Sequence, residues 1–359
     1  METEKTEAEK TAEQAEMLVN RLRKRFRHLS KWAKRTGAGA FRLYDRDIPE
    51  IPLLIDFYGD AVAGSLYQRP YEKDEESEER WLAAMKNAAA LALSIDPRNI
   101  FIRQRKRQRG LAQYEKAGGQ GFTRVISEGG LRFRVNLSDY LDTGLFLDRR
   151  VMRNMVRQEA AGKRVLNLFC YTASFSVYAA GGNAASTDSV DISNTYLDWA
   201  QENFSLNGYH AAIVSMEDFI SGTYTQTHRL IRCDALSFPA RALAAKKTWD
   251  IIVLDPPTFS NSKKMTAVLD LQRDHIELVS RCLALLAPGG TIWFSVNTRH
   301  FKTSAAELEA GLAARFPGLR VVDLGGETTD EDFCGKKTPH CYAIQINSLP
   351  GRTNSGILR

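Results

Sequence analysis

An α/β fold, with a doubly wound, mostly parallel sheet and a smaller α+β domain ahead of it, is predicted by three features of the sequence. From Asn136 onward, strand-like runs alternate with helical spacings, and alternating β and α units close into a parallel sheet with right-handed crossovers. Ile251-Ile252-Val253-Leu254 is a short apolar, β-branched run of the kind buried on both faces. It stops at Asp255-Pro256-Pro257, where neither proline has an N–H to continue the ladder. Finally, Asp191, Asp234 and Asp255 each end a predicted strand, and ligands of open α/β sheets sit at that edge. Taken alone, Asp-Pro-Pro serves equally as a plain strand-ending turn.

The chain has 359 residues, enough for two domains and a sizeable core. Apolar residues make up 43% and charged residues 26%, the balance of a soluble globular protein. A net charge of +6 and a pI near 9.0 permit a nucleic-acid partner. The five cysteines are scattered and form no Cys-x-x-Cys pair. That pattern points to a reducing compartment, with no disulfide framework and no metal site. The acidic, polar N-terminus is no secretory signal, and no apolar run approaches a membrane span. A cytoplasmic protein with no membrane partner is expected.

Residues 1–15 are mostly Glu, Lys, Thr and Ala, and read as a disordered charged tail. Met17, Leu18, Leu22, Phe26, Leu29 and Trp32 then follow helical spacing. The opposite face carries Arg21, Arg25, Lys31 and further cations without a single acid, which favours phosphate contact over a mixed solvated face. Strands are predicted at Phe41–Tyr44, Pro52–Tyr58, Ala61–Tyr67, Ile100–Arg103, Gly121–Ser127 and Leu131–Val135, with a helix over Glu78–Leu93. These make residues 16–135 a small α+β domain. Its loop holds Arg103, Arg105, Lys106, Arg107 and Arg109 close to Tyr114, cations for phosphates beside a ring for an unpaired base. The second domain is expected over 136–348, with a C-terminal tail over 349–359. Its strands are Arg164–Phe169, Ala185–Val190, Leu230–Cys233, Ile251–Leu254, Thr291–Val296, Leu319–Leu324 and Tyr342–Ile346. Its helices are Thr172–Ala180, Asn194–Leu206, Leu269–Leu286 and Ala305–Phe316, the third closed by Pro288-Gly289-Gly290.

Each of the three rim acids suits capping of the next helix, Asp191 before Ser193 above all. Together on one edge they describe a nucleoside site. A carboxylate ending the second strand accepts from both ribose hydroxyls, and one ending the third accepts from an adenine amine. The first turn, Asn167-Leu168-Phe169-Cys170-Tyr171-Thr172-Ala173-Ser174, lacks the glycines that let a backbone approach a pyrophosphate. S-adenosylmethionine, which has no phosphate, fits better than a dinucleotide.

The runs Asn167-Leu168-Phe169-Cys170-Tyr171-Thr172, Val190-Asp191-Ile192-Ser193, Asp255-Pro256-Pro257-Thr258-Phe259-Ser260-Asn261-Ser262-Lys263, Gln272-Arg273-Asp274-His275 and the segment Leu137–Asp148 together carry a family pattern. From about Arg21 to Asn347 the chain resembles the bacterial 23S ribosomal RNA guanine-N7 methyltransferases. In many bacteria these form the C-terminal half of a bifunctional guanine methyltransferase. The resemblance implies a Rossmann-like class I S-adenosylmethionine-dependent methyltransferase with a seven-stranded sheet. It implies 23S ribosomal RNA, or a large-subunit assembly intermediate, as partner. It assigns Asp191 and its neighbour Ile192 to the ribose, and Asp234 with Ala235 to the adenine. Asn167 goes to the cofactor, Phe169, Tyr171 and Thr172 to its methionine part, Asp148 and Arg150 to closure of the cofactor site, and Asp255, Pro256, Pro257, Thr258 and Phe259 to the base, with Asp255 also at the cofactor. Ala173 departs from the family, which usually has glycine there. The N-terminal half of the fused form, with its exocyclic-nitrogen activity, is not expected of this chain.

Residue 258 separates reaction types. Methylation of cytosine C5 needs a cysteine that adds to the ring, often placed just after the Asp-Pro-Pro unit; here Thr258 stands there. Cys334 and Cys341 are the cysteines that the sequence leaves open for that role. Guanine N7 has an in-plane lone pair and no proton, so alignment carries its reaction. N7 lies on the major-groove edge, closed off in A-form RNA, so the base must be unpaired or drawn out. Phe259 then either stacks on the displaced guanine or packs behind the loop. Cytosine-C5 methylation and a non-catalytic RNA-binding assembly factor remain the alternatives.

Overall fold

The computed structural model describes residues 5–67, 74–104, 121–260, 267–298, 301–336 and 339–346. The chain divides into two compact units, one of residues 1–147 with 331–336 and one of 148–330 with 337–359. The change of pattern at Asn136 therefore does not open the second unit; that begins at Asp148.

In the first unit, α1 (Glu7–Thr36) packs on α2 (Glu75–Leu93), and both cover a sheet of β1 (Phe41–Asp45), β2 (Leu53–Phe57), β3 (Val62–Leu66) and β4 (Ile100–Gln104) in that order. The first two pairings are antiparallel and β3–β4 is parallel. Leu18, Leu22, Leu29 and Trp32 meet Trp81 and Met85 in a common core. A separate antiparallel hairpin joins β5 (Thr123–Glu128) to β6 (Leu131–Asn136). Gly39 donates its N–H to Ser127 O at 2.7 Å, and a Cβ there would stand 2.6 Å from that oxygen, so only glycine allows the approach.

Residues 7–15 are helical, contrary to the disorder read from their composition. The same Glu, Lys and Ala that bury little surface are strong helix formers. Thr6 opens the helix with a capping box: its hydroxyl accepts from Glu9 N at 3.3 Å, and Glu9 accepts from Thr6 N at 2.8 Å. Gln14 then accepts from the buried Trp81 indole at 2.6 Å, tying this turn to α2.

The second unit is built on an eight-stranded sheet rather than seven. Its strands are β7 (Arg164–Leu168), β8 (Ser186–Asp191), β9 (Ala211–Val214), β10 (His228–Arg232), β11 (Trp249–Leu254), β14 (Leu286–Val296), β15 (Leu319–Asp323) and β16 (His340–Ile346). The order is β15-β16-β14-β11-β7-β8-β10-β9. The six strands from β14 to β9 are parallel, while β16 runs antiparallel to β14 and β15 antiparallel to β16. The added strand is β9, four residues on the edge beside β10 and too short to stand out in the sequence. Helices α3 (Arg150–Glu159), α4 (Ser174–Gly181), α5 (Asn194–Leu206), α6 (Met216–Ser221), α7 (Phe238–Ala244), α8 (Leu271–Leu283) and α9 (Ala305–Ala313) complete the unit. Helix α8 ends at Leu283, before Pro288-Gly289-Gly290, and those three residues lie inside β14 instead of stopping the helix. A two-stranded ribbon, β12 (Phe259–Ser260) with β13 (Leu269–Asp270), follows the Asp-Pro-Pro turn. Ile251, Ile252, Val253 and Leu254 of β11 are fully buried, as a central parallel strand requires. Among the described residues no helix is long and apolar enough to cross a membrane.

Candidate active site

The registers Leu168↔Val190, Asp191↔Arg232 and Leu168↔Leu254 align the carboxyl ends of β7, β8, β10 and β11 along one rim. Asp191, Asp234 and Asp255 follow from that alignment as neighbours of the same edge. Asp191 accepts from Tyr171 N at 3.0 Å and from Ser193 N at 2.9 Å. Burial nevertheless raises its carboxyl to about 6, against the opposing pull of the Ser193, Tyr171 and Ile192 N–H groups. Such a carboxylate is under-supplied with donors, and each oxygen has room for another. A pair of hydroxyls is the kind of group that fits it. Asp234 is buried, its Oδ1 accepting from Leu236 N at 3.0 Å, with Ala235 buried beside it.

The turn after β7 is shaped by left-handed residues: Phe169 at φ 57°, Tyr171 at φ 53° and Ala173 at φ 57°. Side chains rarely adopt this region, so the turn holds local strain. The gain is orientation, since Tyr171 N–H is turned onto Asp191. Tyr171 itself packs edge-on to Tyr196, 4.5 Å between ring centroids. Two residues expected to line the cofactor are instead inside the scaffold. Asn167 is 1% exposed and donates to Ser176 Oγ at 2.9 Å, which also receives Ser189 Oγ at 2.7 Å, so it ties β7 to α4 and β8. Thr172 is equally buried, its carbonyl accepting from Asn203 Nδ2 at 3.0 Å. Phe169 is half-buried against the core.

Asp255 is gripped by a residue that sequence reasoning missed. Arg149 Nε lies 3.2 Å from Oδ2 and Nη2 lies 3.0 Å from Oδ1, while Ser295 Oγ donates to Oδ1. Arg149 Nη1 stands 3.3 Å from Asp148 Oδ2, without a formed hydrogen bond. Burial opposes the guanidinium charge, but Asp255 and Asp148 outweigh it and hold Arg149 protonated. Arg150, the residue expected to close the cofactor site, turns away to Asp330 at 2.9 Å. Only the repeat Asp148-Arg149-Arg150 signalled that two arginines competed for one role. Pro256 is buried and Pro257 half-buried. Thr258 Oγ1 donates to Asn297 O at 3.2 Å, and its carbonyl accepts from Leu271 N at 3.0 Å. Phe259 is 51% exposed, so it does not pack behind the loop. Asn261, Ser262 and Lys263 lie outside the described residues.

No cysteine of this unit is poised to add to a base. Cys341 is buried in β16 and pushed up to about 11, Cys282 is pushed up to about 12, and burial also raises Cys170 and Cys233. Cys334 is exposed but belongs to the first unit. His275 is buried in α8 with Nδ1 about 3.0 Å from Gln272 O, a structural placement. Among the described residues no His, Cys, Asp and Glu cluster is placed to hold a metal ion.

In the first unit, three residues expected at RNA are spent on the fold. Arg21 pairs with Asp47 at 2.7 Å, Arg25 donates to Leu43 O and Asp332 O, both at 3.4 Å, and Arg103 donates to Leu137 O at 2.6 Å. Lys31 is exposed. Arg105, Lys106, Arg107 and Arg109 lie outside the described residues.

Residues 41–324 match the model of a family described as S-adenosylmethionine-dependent methyltransferase. The chain is 45% identical to the ribosomal RNA large subunit methyltransferase K of Neisseria meningitidis serogroup B over 92% of its own length and 87% of that protein. It is 43% identical to the ribosomal RNA large subunit methyltransferase K/L of Pseudomonas putida, over 95% of its own length but only 43% of that relative, so it spans less than half of the K/L protein. A methyltransferase structure solved in complex with SAH superimposes with a TM-score of 0.69 at 24% identity, covering 92% of this chain and 82% of that one. With the family model spanning most of its length and this sheet beneath the rim, the chain belongs to the S-adenosylmethionine-dependent methyltransferases, and S-adenosylmethionine is its cofactor.

Proposed function

We propose that the chain methylates guanine N7 of 23S ribosomal RNA. The large-subunit RNA target is taken from the names of the relatives that cover it. The choice of N7 rests on one observation: the Asp255 carboxylate is already engaged by the two nitrogens of Arg149 and the Ser295 hydroxyl. An exocyclic amine would need an acceptor for its N–H while it reacts, and a carboxylate paired with a buried guanidinium is a poor one. N7 presents a lone pair and has no proton to lose. Cytosine C5 would need a nucleophilic thiol, and residue 258 is threonine.

When bound, S-adenosylmethionine supplies a sulfonium-borne methyl group that N7 takes as the carbon–sulfur bond breaks, the electron pair staying on sulfur. Asp191 accepts the ribose hydroxyls and Asp234 receives the adenine edge. Arg149 and Ser295 fix Asp255, so the rigid Pro256-Pro257 turn carries Thr258 and Phe259 at a set height above the rim. Phe259 stacks on a guanine drawn out of its helix, and alignment supplies the rate. No residue has to move a proton.

Nucleoside analysis by mass spectrometry of 23S RNA incubated with the protein and labelled S-adenosylmethionine tests this. Label in 7-methylguanosine is expected; label in N2-methylguanosine or 5-methylcytidine rejects the proposal.

A further inference from the structure

Helix α1 sorts its cations into two sets. Arg21 and Arg25 lie at the edge of the packed face, held by Asp47 and by the carbonyls of Leu43 and Asp332. Arg23, Lys24, Arg27, Lys31, Lys34 and Arg35 are all exposed. At about 100° per residue these six fall within an arc of roughly 120°, centred opposite the buried Leu18, Leu22, Leu29 and Trp32. The stripe runs about 18 Å along the helix. Among the described residues none of the six has an ion-pair partner, and no acid occurs between Met17 and Thr36 to supply one within the helix.

Complementing the helix dipole does not account for this. That effect fades within the last turn, whereas the stripe covers more than three turns. Like charges at i and i+4, Arg23 with Arg27, Arg27 with Lys31 and Lys31 with Arg35, destabilise the isolated helix. An outward face that keeps this repulsion is matched to a polyanion. Lipid is the poorer match: Phe26 and Trp32 point into the core, so the stripe offers no apolar group to insert into a bilayer.

We infer that the outward face of α1 is a phosphate-backbone grip for the RNA substrate, made by Arg23, Lys24, Arg27, Lys31, Lys34 and Arg35. The grip rests on the reading of RNA as substrate but not on which atom is methylated. It is sequence-independent: phosphate contacts fix position, and base choice lies elsewhere.

The test compares the full chain with Arg27→Gln/Lys31→Gln/Lys34→Gln and with a charge-matched control, Lys10→Gln/Lys302→Gln/Arg320→Gln, all exposed positions. Binding of a fluorescein-labelled single-stranded RNA is followed by anisotropy over a salt series. The α1 variant is expected to bind roughly tenfold more weakly at moderate salt. The slope of log K against log salt should fall by about 2, near 0.7 for each lost contact to single-stranded RNA. Far-ultraviolet circular dichroism and S-adenosylmethionine affinity by calorimetry should both be unchanged, which shows that both units of the variant are folded. The control should keep its slope. An unchanged α1 variant, or a control weakened as much, overturns the grip. So does binding of phosphatidylserine vesicles that is tighter than RNA binding and lost in the α1 variant. A failed 7-methylguanosine assay with the salt response intact would remove the reaction assignment and leave the grip standing.

Discussion

Arg149 holds Asp255 with two parallel contacts, Nη2 to Oδ1 at 3.0 Å and Nε to Oδ2 at 3.2 Å, while its own side chain is almost wholly buried. A paired buried charge contributes little net stability, but a widowed one is expensive. Arg149 immediately precedes α3 and Asp255 immediately follows β11, so the pair also pins the approach to the helix against the central strand.

Arg149→Met should therefore lower unfolding free energy by about 1–3 kcal/mol in urea titration, the cost of taking the guanidinium from a partly buried carboxylate that keeps only the Ser295 hydroxyl. Turnover on RNA should fall with it, because the Asp-Pro-Pro turn loses its anchor. Adding Asp255→Asn should recover much of the stability without restoring turnover. An Arg149→Met protein as stable as the parent would mean that the pair does not hold the turn.

Asp191 gives a pH signature with two opposite signs. Its carboxyl is raised to about 6, above the ordinary value of 3.8. The folded chain thus binds this proton more tightly than the unfolded chain, so this group adds stability to the ligand-free protein as pH falls from 6 towards 3.8. Hydroxyl donors favour the charged form, so S-adenosylmethionine affinity should instead weaken as pH falls below 6 and level off above it. Calorimetric titration from pH 5 to pH 8 checks this. Asp191→Asn should bind the cofactor at least tenfold more weakly, with the pH dependence gone.

The sheet and its acids were legible because they depend on local pattern. A β-branched run bounded by a helix breaker, as at Ile251–Leu254 before Asp255-Pro256-Pro257, has few other structures open to it. What failed depended on tertiary partners. Composition could not foresee that Gln14 would meet Trp81 and keep residues 7–15 helical. It could not choose between Arg149 and Arg150, since Arg149 caps the turn before α3 while Arg150 is the first residue of the helix, and the change of backbone between them sends one side chain to Asp255 and the other to Asp330. Pro288-Gly289-Gly290 is a stop signal in isolation, but α8 had already ended at Leu283 and the three residues were drawn into β14. Asn167 carried the motif but not the expected contact: its side chain points to the sheet face covered by α4, and its amide is consumed by Ser176.

Ala173 is fully buried at φ 57°, in a conformation that costs a non-glycine residue about 1 kcal/mol. Glycine adopts it freely but loses a buried methyl group and gains freedom in the unfolded chain. Ala173→Gly should therefore change stability by less than about 1 kcal/mol in thermal unfolding, a mild outcome for a fully buried position. Ala173→Val should be far worse, since a β-branched residue tolerates this region least. Equal tolerance of glycine and valine would show that the turn relaxes out of the left-handed region.

Phe259 is the clearest handle on the base. Its ring is half-exposed on the two-residue strand β12, paired with Asp270 of β13. An aromatic ring left in water on a short ribbon adds little to the fold, so its removal should leave the melting temperature nearly unchanged. Stacking on an unpaired base is worth about 1–3 kcal/mol. Phe259→Ala should thus lower kcat/KM on RNA by roughly tenfold to a hundredfold, with S-adenosylmethionine affinity unaltered because the ring is not among the rim acids. Phe259→Tyr, which keeps the face, should retain most of the activity. Equal losses in the alanine and tyrosine variants would argue against stacking, and a parallel loss of cofactor affinity would place the ring on the donor instead of the base.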